Sequence, residues 1–285
     1  MLYRFLSLLI LSVLLLHPSF AAAEPIRFAP LPIHGQQYLR HKYYPFIKYL
    51  EQGLSQPVEI VYREKYKDII AGLKADEIDL AILGPLPFVL ALKSDPTLRV
   101  LLQFLEPDGS TGYTCSVGTF VADQLHISDL KNKHIALTQS YSTCGYLMTE
   151  KILNREGLSL ADNQFEYIGT HPGCALRVIA GQAAACGIKT VIGKKFYHLG
   201  LDLIAESEVV PGFVLVANQR TLNSATMTAI KTHLLELKPL ENQADAELTK
   251  NWAELTRNGV APAHIDDFKG IIDMLNRIDI PGVPK

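Results

Sequence analysis

The sequence predicts an α/β protein of two lobes that face each other across a hinge. Short β-rich segments alternate with segments of helical periodicity, a pattern typical of mostly parallel sheets flanked by helices. The near-continuous apolar run at residues 78–83 fits a strand that is covered on both faces. Two interruptions, a polar turn at 106–112 and a Pro-Gly step inside 209–217, indicate that the chain leaves the first lobe and later returns to it.

The first lobe is predicted to comprise residues 24–110 and 213–285. Pro45 suits the first turn of its first helix, and Gly53 lies near the end of that helix. In chain order we expect strands at 26–29, 58–62, 78–83 and 100–105 alternating with helices at 41–54, 67–74 and 88–93, and then, after the return crossing, helices at 224–237, 244–258 and 265–276.

The second lobe is predicted to comprise residues 111–212. We expect strands at 113–121, 134–137, 165–168 and 183–188, with helical segments at 127–133, 145–156 and 174–180. Loops that follow parallel strands emerge at one edge of a sheet, and open α/β folds place their ligands there. The two crossings between the lobes form a hinge, so the cleft between them is expected to close on a small ligand.

Composition sets the function classes that remain open. The 285 residues are 48% hydrophobic and 20% charged, as in ordinary folded proteins. The 27 Lys and Arg residues and 29 Asp and Glu residues give a net charge of −2. This balance excludes a nucleic-acid binder that relies on bulk positive charge, but it allows a small polar pocket.

The N-terminus resembles a secretory signal peptide. Arg4 precedes a mostly apolar run at 5–16, and three alanines that end at Ala23 supply the small residues of a cleavage site. A retained membrane anchor is the alternative, but the run is shorter than the roughly 20 residues that a membrane span needs. We therefore expect residues 1–23 to be removed and the mature protein to be periplasmic.

Residues 139–146, Gln-Ser-Tyr-Ser-Thr-Cys-Gly-Tyr, follow a predicted strand and open a predicted helix. Unpaired backbone N–H groups at a helix start carry partial positive charge, so an anion binds there without Lys or Arg. Ser142 and Thr143 add hydroxyl donors, and Gly145 allows close approach to the backbone. The alternative is that Ser142 or Thr143 only caps its own helix.

A second segment, residues 167–174, also ends a strand and opens a helix. If both strands lie in one parallel sheet, His171 stands beside the Ser-Thr loop as a further donor to an anion. A surface or helix-capping histidine is the alternative.

These segments resemble the periplasmic solute-binding proteins of phosphate, phosphite and phosphonate ABC importers, which have the type II periplasmic binding protein fold. The resemblance rests on ADEIDLAILGPLPFVLA (75–91), ISDLKNKHIALTQSYSTCGYL (127–147), GTHPGCALRVIAGQAAACGI (169–188) and RNGVAPAHIDDFKGIIDML (257–275). It implies capture of a small oxyanion for ABC transporter membrane subunits, without catalysis and without a cofactor or metal. We expect a monomer.

The resemblance also implies a set of ligand-binding residues. In the second lobe these are the hydroxyls of Ser142 and Thr143, the backbone of Cys144 and Gly145, Tyr146 at the end of the loop motif, and His171. From the first lobe the matching positions are Phe88 and Tyr66, and Tyr38 is added to the set as a further candidate without a match in the family.

Three positions depart from the pattern of the family. Phe88 stands where the family usually has Tyr, Cys144 replaces a Ser, and Ala184 replaces an Asp that meets an amino group on aminoalkylphosphonates. The loss of an acid and a hydroxyl argues against a ligand like 2-aminoethylphosphonate. Phosphate, phosphite, a larger phosphorylated molecule and an unrelated ligand stay open.

The four cysteines lie in the predicted second lobe, and an even number in an exported protein favours disulfides. Because Cys144 and Cys174 open helices after neighbouring strands, we expect Cys144–Cys174 together with Cys115–Cys186. The two other pairings and a reduced state stay open. A further alternative is a soft-metal or thiol-reactive site formed by Cys144, Cys174 and His171.

A hydrolase and a sensor or accessory protein are the two alternatives to an importer component. A hydrolase finds little support, since the sequence lacks a Gly-x-Ser-x-Gly elbow and an acid evidently placed to orient His171. A periplasmic sensor or accessory protein on the same scaffold, working with a membrane sensor and binding another ligand or a soft metal, stays open.

Overall fold

The computed structural model describes residues 23–33 and 35–283, so the expected signal peptide lies outside the described residues except for Ala23. The strands are β1 Ile26–Ala29, β2 Val58–Ile60, β3 Leu80–Leu83, β4 Leu98–Phe104, β5 Gly112–Tyr113, β6 Cys115–Phe120, β7 His134–Leu137, β8 Gln164–Tyr167, β9 Ala185–Lys189, β10 Leu201–Glu206, β11 Val210–Pro211, β12 Val214–Asn218 and β13 Val260–Pro262. The α-helices are α1 Gln36–Leu54, α2 Tyr66–Lys74, α3 Pro85–Ser94, α4 Met148–Asn154, α5 His171–Ile179, α6 Thr190–Lys194, α7 Ser224–Glu236, α8 Gln243–Thr249 and α9 Lys269–Leu275. Short 3₁₀ turns and one π-helical turn, Thr143–Leu147, connect them.

The first sheet has the strand order β13-β4-β12-β3-β1-β2. β1 pairs in parallel with β2 and β3, and β12 lies antiparallel between β3 and β4. All four residues of β3 are buried, as expected for a strand covered on both faces. The segment after the return crossing therefore completes the sheet that the first part of the chain begins.

The second sheet has the order β10-β6-β9-β7-β8, with β7 parallel to both β8 and β9. The loops after β7 and β8 emerge at the same edge of this sheet, and the Gly169 N–H donates to the Thr138 carbonyl at 2.7 Å. The expectation that the Ser-Thr loop and the His171 loop are neighbours is confirmed.

A two-stranded ribbon lies at the two crossings. β5 pairs antiparallel with β11, and Tyr113 faces Val210 across the ribbon. Along the chain, β5 lies between β4 of the first sheet and β6 of the second, and β11 lies between β10 of the second sheet and β12 of the first. The outgoing and returning segments are therefore hydrogen-bonded to each other.

Several sequence expectations were wrong in detail. The first helix begins at Gln36 rather than at residue 41, so Pro45 lies in its interior. Burial of Leu39, Tyr43 and other residues along one face stabilises the helix on both sides of the proline. The predicted helix 244–258 is helical only over Gln243–Thr249. The strands β10, β12 and β13 and the short helix α6 were not predicted. Among the described residues, none of the helices combines the length and apolarity that a membrane crossing requires.

Candidate functional site

The loop after β7 folds back closely on itself at the π-helical turn that follows it. Ser142 is the residue before the π-helical turn and, within the described chain, its side chain makes no capping hydrogen bond. Gly145 has a non-helical backbone, and a Cβ there would lie 2.8 Å from both the Gln139 carbonyl oxygen and Thr138 Oγ1. Only glycine allows this close approach. The Ser142 hydroxyl is thus not used to cap its own helix.

Thr143 connects this loop to the first lobe. The backbone N–H of Leu86 donates to Thr143 Oγ1 at 3.1 Å, and the Thr143 side chain is buried. Leu86 lies in the first turn of α3 between Pro85 and Pro87, which have no N–H to offer. The Thr143 hydroxyl therefore accepts the hydrogen bond of a backbone donor at a helix N-terminus, where partial positive charge is concentrated.

Buried tyrosines lie beside this contact. The Tyr113 hydroxyl hydrogen-bonds to Thr143, and Tyr66 lies near enough to influence both Tyr113 and Tyr43 electrostatically. Desolvation raises the pKa of all three phenols well above the ordinary value. They are neutral at physiological pH.

His171 opens α5 as expected, and its protonation state follows from its contacts. Nδ1 accepts a hydrogen bond from the backbone N–H of Lys189 at 3.1 Å. Burial, helped by the nearby Lys189 ammonium, lowers the pKa of His171 to about 3. The ring is therefore neutral near pH 7 and carries its proton on Nε2, which is left as a donor.

Lys189 is a residue that the sequence reasoning missed. Its Nζ lies 2.5 Å from Glu106 Oε1 and 4.4 Å from the centroid of the Tyr113 ring, and it is also close to Phe213. Desolvation lowers the pKa of Lys189, and the Glu106 carboxylate opposes that effect. The available signal was a charged residue directly after the apolar run 183–188, at the end of a buried strand.

Three other expected site residues are described by their ring packing or by their exposure. Phe88 is buried and its ring packs on Phe268 at 4.7 Å. The Tyr146 ring packs edge-on against Phe165 at 5.4 Å in the second lobe. Tyr38 is 47% exposed on α1. Thr143 is joined to Leu86 across the lobes, and His171 is joined to Lys189, whose ammonium lies over the Tyr113 ring.

The expected disulfide pairing was wrong. Cys115 bonds to Cys144, while Cys174 and Cys186 are buried free thiols. The register of β6 against β9 explains the difference: Cys115 faces Lys189, and Cys186 faces Gly118 three residues further along. Cys115 instead lies beneath the π-helical turn, with its Cα 5.2 Å from that of Cys144.

The soft-metal alternative is wrong for the same reason. With Cys144 in a disulfide, its sulfur offers no thiolate to a metal, and burial raises the pKa of the Cys174 thiol. Within residues 23–33 and 35–283, no group of three or more His, Cys, Asp or Glu side chains is arranged to hold a metal ion.

The two lobes contact each other through side chains away from the loop after β7 as well. Tyr167 of the second lobe donates to the Pro281 carbonyl at 3.1 Å, and Lys195 pairs with Glu254 at 3.2 Å. Together with the bond between Leu86 and Thr143, these contacts join the two lobes at three places.

Comparisons with known proteins show the family of the chain. A protein-family model described as "ABC transporter, phosphonate, periplasmic substrate-binding protein" matches residues 28–268. A curated relative, the phosphate-import protein PhnD of Mycolicibacterium smegmatis, is 26% identical over 272 residues, covering 87% of this chain and 84% of the relative.

Solved structures share the fold. PhnD1 from Prochlorococcus marinus, in complex with methylphosphonate, matches with a TM-score of 0.76 at 18% identity, over 88% of this chain and 97% of that chain. A binding-protein component of an ABC phosphonate transporter from Pseudomonas aeruginosa matches with a TM-score of 0.71 at 17% identity, over 88% and 85%. The α/β fold of a type II periplasmic binding protein, expected from the sequence, is confirmed.

Proposed function

Because the chain belongs to the family of periplasmic substrate-binding proteins of phosphonate ABC transporters, we propose that it captures a small phosphorus oxyanion between its lobes. The bound oxyanion is handed to the membrane subunits of an ABC importer. The lobes are residues 24–110 with 213–285, and residues 111–212. The protein acts as a periplasmic monomer after its signal peptide is cleaved behind Ala23.

The hydrogen bond from Leu86 to Thr143 is the observation that carries this proposal. It joins a helix N-terminus of one lobe to a hydroxyl of the other, which is the geometry that an oxyanion oxygen would exploit from both sides. Ser142, Tyr113 and His171 Nε2 supply further neutral donors nearby. Such a site holds an anion through backbone and side-chain dipoles, without a direct ion pair.

The ligand class follows from the relatives and the donor set. The curated relative is named as a phosphate importer, and the Prochlorococcus marinus protein was solved with methylphosphonate. Both ligands present several oxygens on a small tetrahedral centre, which suits donors that converge from two lobes. Phosphate and methylphosphonate are therefore the ligands to test first.

We propose binding without turnover. The Nδ1 atom of His171 faces a backbone N–H, so no carboxylate orients the ring as a hydrolase would require. A sensor role on the same scaffold would use the same site, and it would differ only in the membrane partner that the closed form contacts.

Isothermal titration calorimetry with methylphosphonate and phosphate tests the proposal. Thr143→Val keeps the side-chain shape and removes the hydroxyl, and a lost hydrogen bond to a charged group costs about 1.5–3 kcal/mol, or about tenfold or more in Kd. Ser142→Ala should weaken binding in the same direction. Thr232→Val, at an exposed position on α7, serves as the matched control and should bind normally.

Absence of binding of both ligands by the native protein contradicts the proposed function. Unchanged affinity in both Ser142→Ala and Thr143→Val contradicts the proposed site.

A further inference from the structure

The C-terminal end of the described chain crosses from the first lobe to the second. Residues 278–283, here called the strap, follow α9 of the first lobe. The Tyr167 hydroxyl of the second lobe donates to the carbonyl of Pro281 at 3.1 Å. The backbone of Gly282 lies against Ser140, so that a Cβ on Gly282 would be 3.7 Å from Ser140 Cβ. The strap therefore contacts the second lobe at two points.

Apolar packing anchors the strap to the first lobe. Ile280 is buried, and Ile278 and Val283 pack against the core. These three residues line one small cavity together with Leu90 and Lys93 of α3. Because burial of apolar surface opposes release of the strap, it is expected to stay with the first lobe when the lobes separate.

The sequence of the strap favours the turn that makes these contacts. The backbone N–H of Val283 donates to the Ile280 carbonyl at 3.0 Å, and Gly282 has a φ of +84°. Proline at the second position and a glycine with positive φ at the third are typical of a type II turn. The fixed φ of Pro281 also lowers the conformational entropy that is lost when the turn forms. The strap is thus a preformed contact surface.

Both contacts lie beside the loops that are proposed to hold the oxyanion. Ser140 stands shortly before Ser142 in the loop after β7. Tyr167 is the last residue of β8, and the chain then leads to His171, which opens α5. The helix α3, on which the strap packs, also donates from its N-terminus to the loop after β7. The strap thus joins the first lobe to both loops.

Resting on the proposed oxyanion function, we propose that the strap is a conformational device that resists separation of the two lobes and so prolongs the residence of the bound oxyanion. Opening of the cleft breaks the hydrogen bond between Tyr167 and Pro281 and parts Gly282 from Ser140. These contacts are made between protein groups, so they act on release of the ligand through the opening of the lobes.

Two truncated proteins test the strap. A chain that ends at Asp279 lacks the turn, and a matched control that ends at Val283 keeps it. Release of radiolabelled methylphosphonate or phosphate into an excess of unlabelled ligand should be about two- to tenfold faster in the shorter chain, as expected for the loss of one neutral hydrogen bond. The control should release ligand at the native rate. Small-angle scattering without ligand should show a more open protein only for the shorter chain.

A cross-link tests the same device in the opposite direction. The separation of 3.7 Å between Ser140 Cβ and a Cβ on Gly282 suits a disulfide, whose Cβ atoms lie about 3.5–4.5 Å apart. Oxidised Ser140→Cys/Gly282→Cys should take up and release ligand about tenfold or more slowly than the two single variants, because its lobes are tied together. The single variants carry the same side chains without the cross-link. Mass spectrometry under non-reducing conditions verifies the bond.

The outcomes separate the strap from the proposed function. Native release rates in the folded shorter chain, or equal rates in the cross-linked and single variants, refute the strap while the oxyanion function stands. If circular dichroism shows that the shorter chain is unfolded, the cross-linked variant decides, because it removes no buried apolar group. If the native protein binds neither ligand, the proposed function fails, and scattering of the two truncated proteins still shows whether the strap resists separation of the lobes.

Discussion

Reduction of the Cys115–Cys144 disulfide should destabilise the second lobe substantially. The two cysteines are 29 residues apart, and the chain-entropy relation for a loop of that length gives about 3.5 kcal/mol at 25 °C. For a protein of this size, such a loss lowers Tm by about 10 °C. The same change frees the residue directly after Thr143, so we expect the affinity for methylphosphonate to fall as well.

The assay is thermal unfolding followed by circular dichroism, with and without a phosphine reductant, on the native protein and on Cys115→Ser/Cys144→Ser. The reduced native protein and the double variant should unfold at similar, lowered temperatures. Calorimetric titration of methylphosphonate under the same two conditions reports the effect on the loop.

The buried free thiols provide the control. Cys174→Ala/Cys186→Ala should lose some stability from the cavities that it creates, but it should remain as sensitive to the reductant as the native protein. An equal Tm with and without the reductant would refute the reasoning. So would loss of reductant sensitivity in Cys174→Ala/Cys186→Ala, which would place the disulfide between those two residues instead.

Further predictions concern three residues around the cleft. Because burial holds His171 neutral, the neutral ring contributes to the free energy of unfolding above about pH 6.5, and this contribution is lost as the pH falls toward 3. Between pH 7.5 and pH 5, the unfolding free energy of the native protein in urea should fall by up to about 2 kcal/mol more than that of His171→Gln. Equal losses in the two proteins would argue against this. Gly145→Ala should lower the unfolding free energy by about 1–3 kcal/mol, because the alanine Cβ would lie 2.8 Å from a backbone oxygen. Denaturant titration measures this loss, and an unchanged unfolding free energy contradicts the close approach. Tyr167→Phe removes the hydrogen bond to Pro281, so small-angle scattering of the ligand-free variant should report a more open protein. The apparent Kd for methylphosphonate should rise about two- to tenfold, because a neutral hydrogen bond contributes about 0.5–1.5 kcal/mol to closure. An unchanged scattering profile counts against this role of Tyr167.

Local pattern was sufficient for the parts of the site that depend on parallel strands. The sequence predicts β7 and β8 as short apolar or mixed strands, each followed by turn residues. Because the two strands pair in parallel, Thr143 and His171 lie at the same edge of the sheet. The same logic predicted that β3 would be buried on both faces. These features need only the order and direction of strands.

Features that depend on register could not be read in the same way. Whether Cys115 faces Cys186 or Lys189 is decided by a shift of three residues between β6 and β9, which the pattern of apolar residues does not specify. Lys189 itself follows an apolar run, but its partner Glu106 is distant in sequence and belongs to the hinge turn. The pairing of such residues is a property of the assembled lobes.

The bond between Leu86 and Thr143 also bears on how the protein distinguishes anions from neutral molecules. In the structure, the Thr143 oxygen accepts the hydrogen bond of the backbone donor at the start of α3. A ligand must replace that neutral acceptor, so a neutral ligand exchanges one ordinary hydrogen bond for another and gains little. An oxyanion gains binding free energy, because a charged acceptor makes a stronger hydrogen bond and interacts with the partial positive charge at the helix N-terminus. The exchange also releases the Thr143 hydroxyl, which can then donate to a second oxygen of the ligand. Discrimination then arises from the exchange itself, and it requires no direct contact with a positively charged side chain.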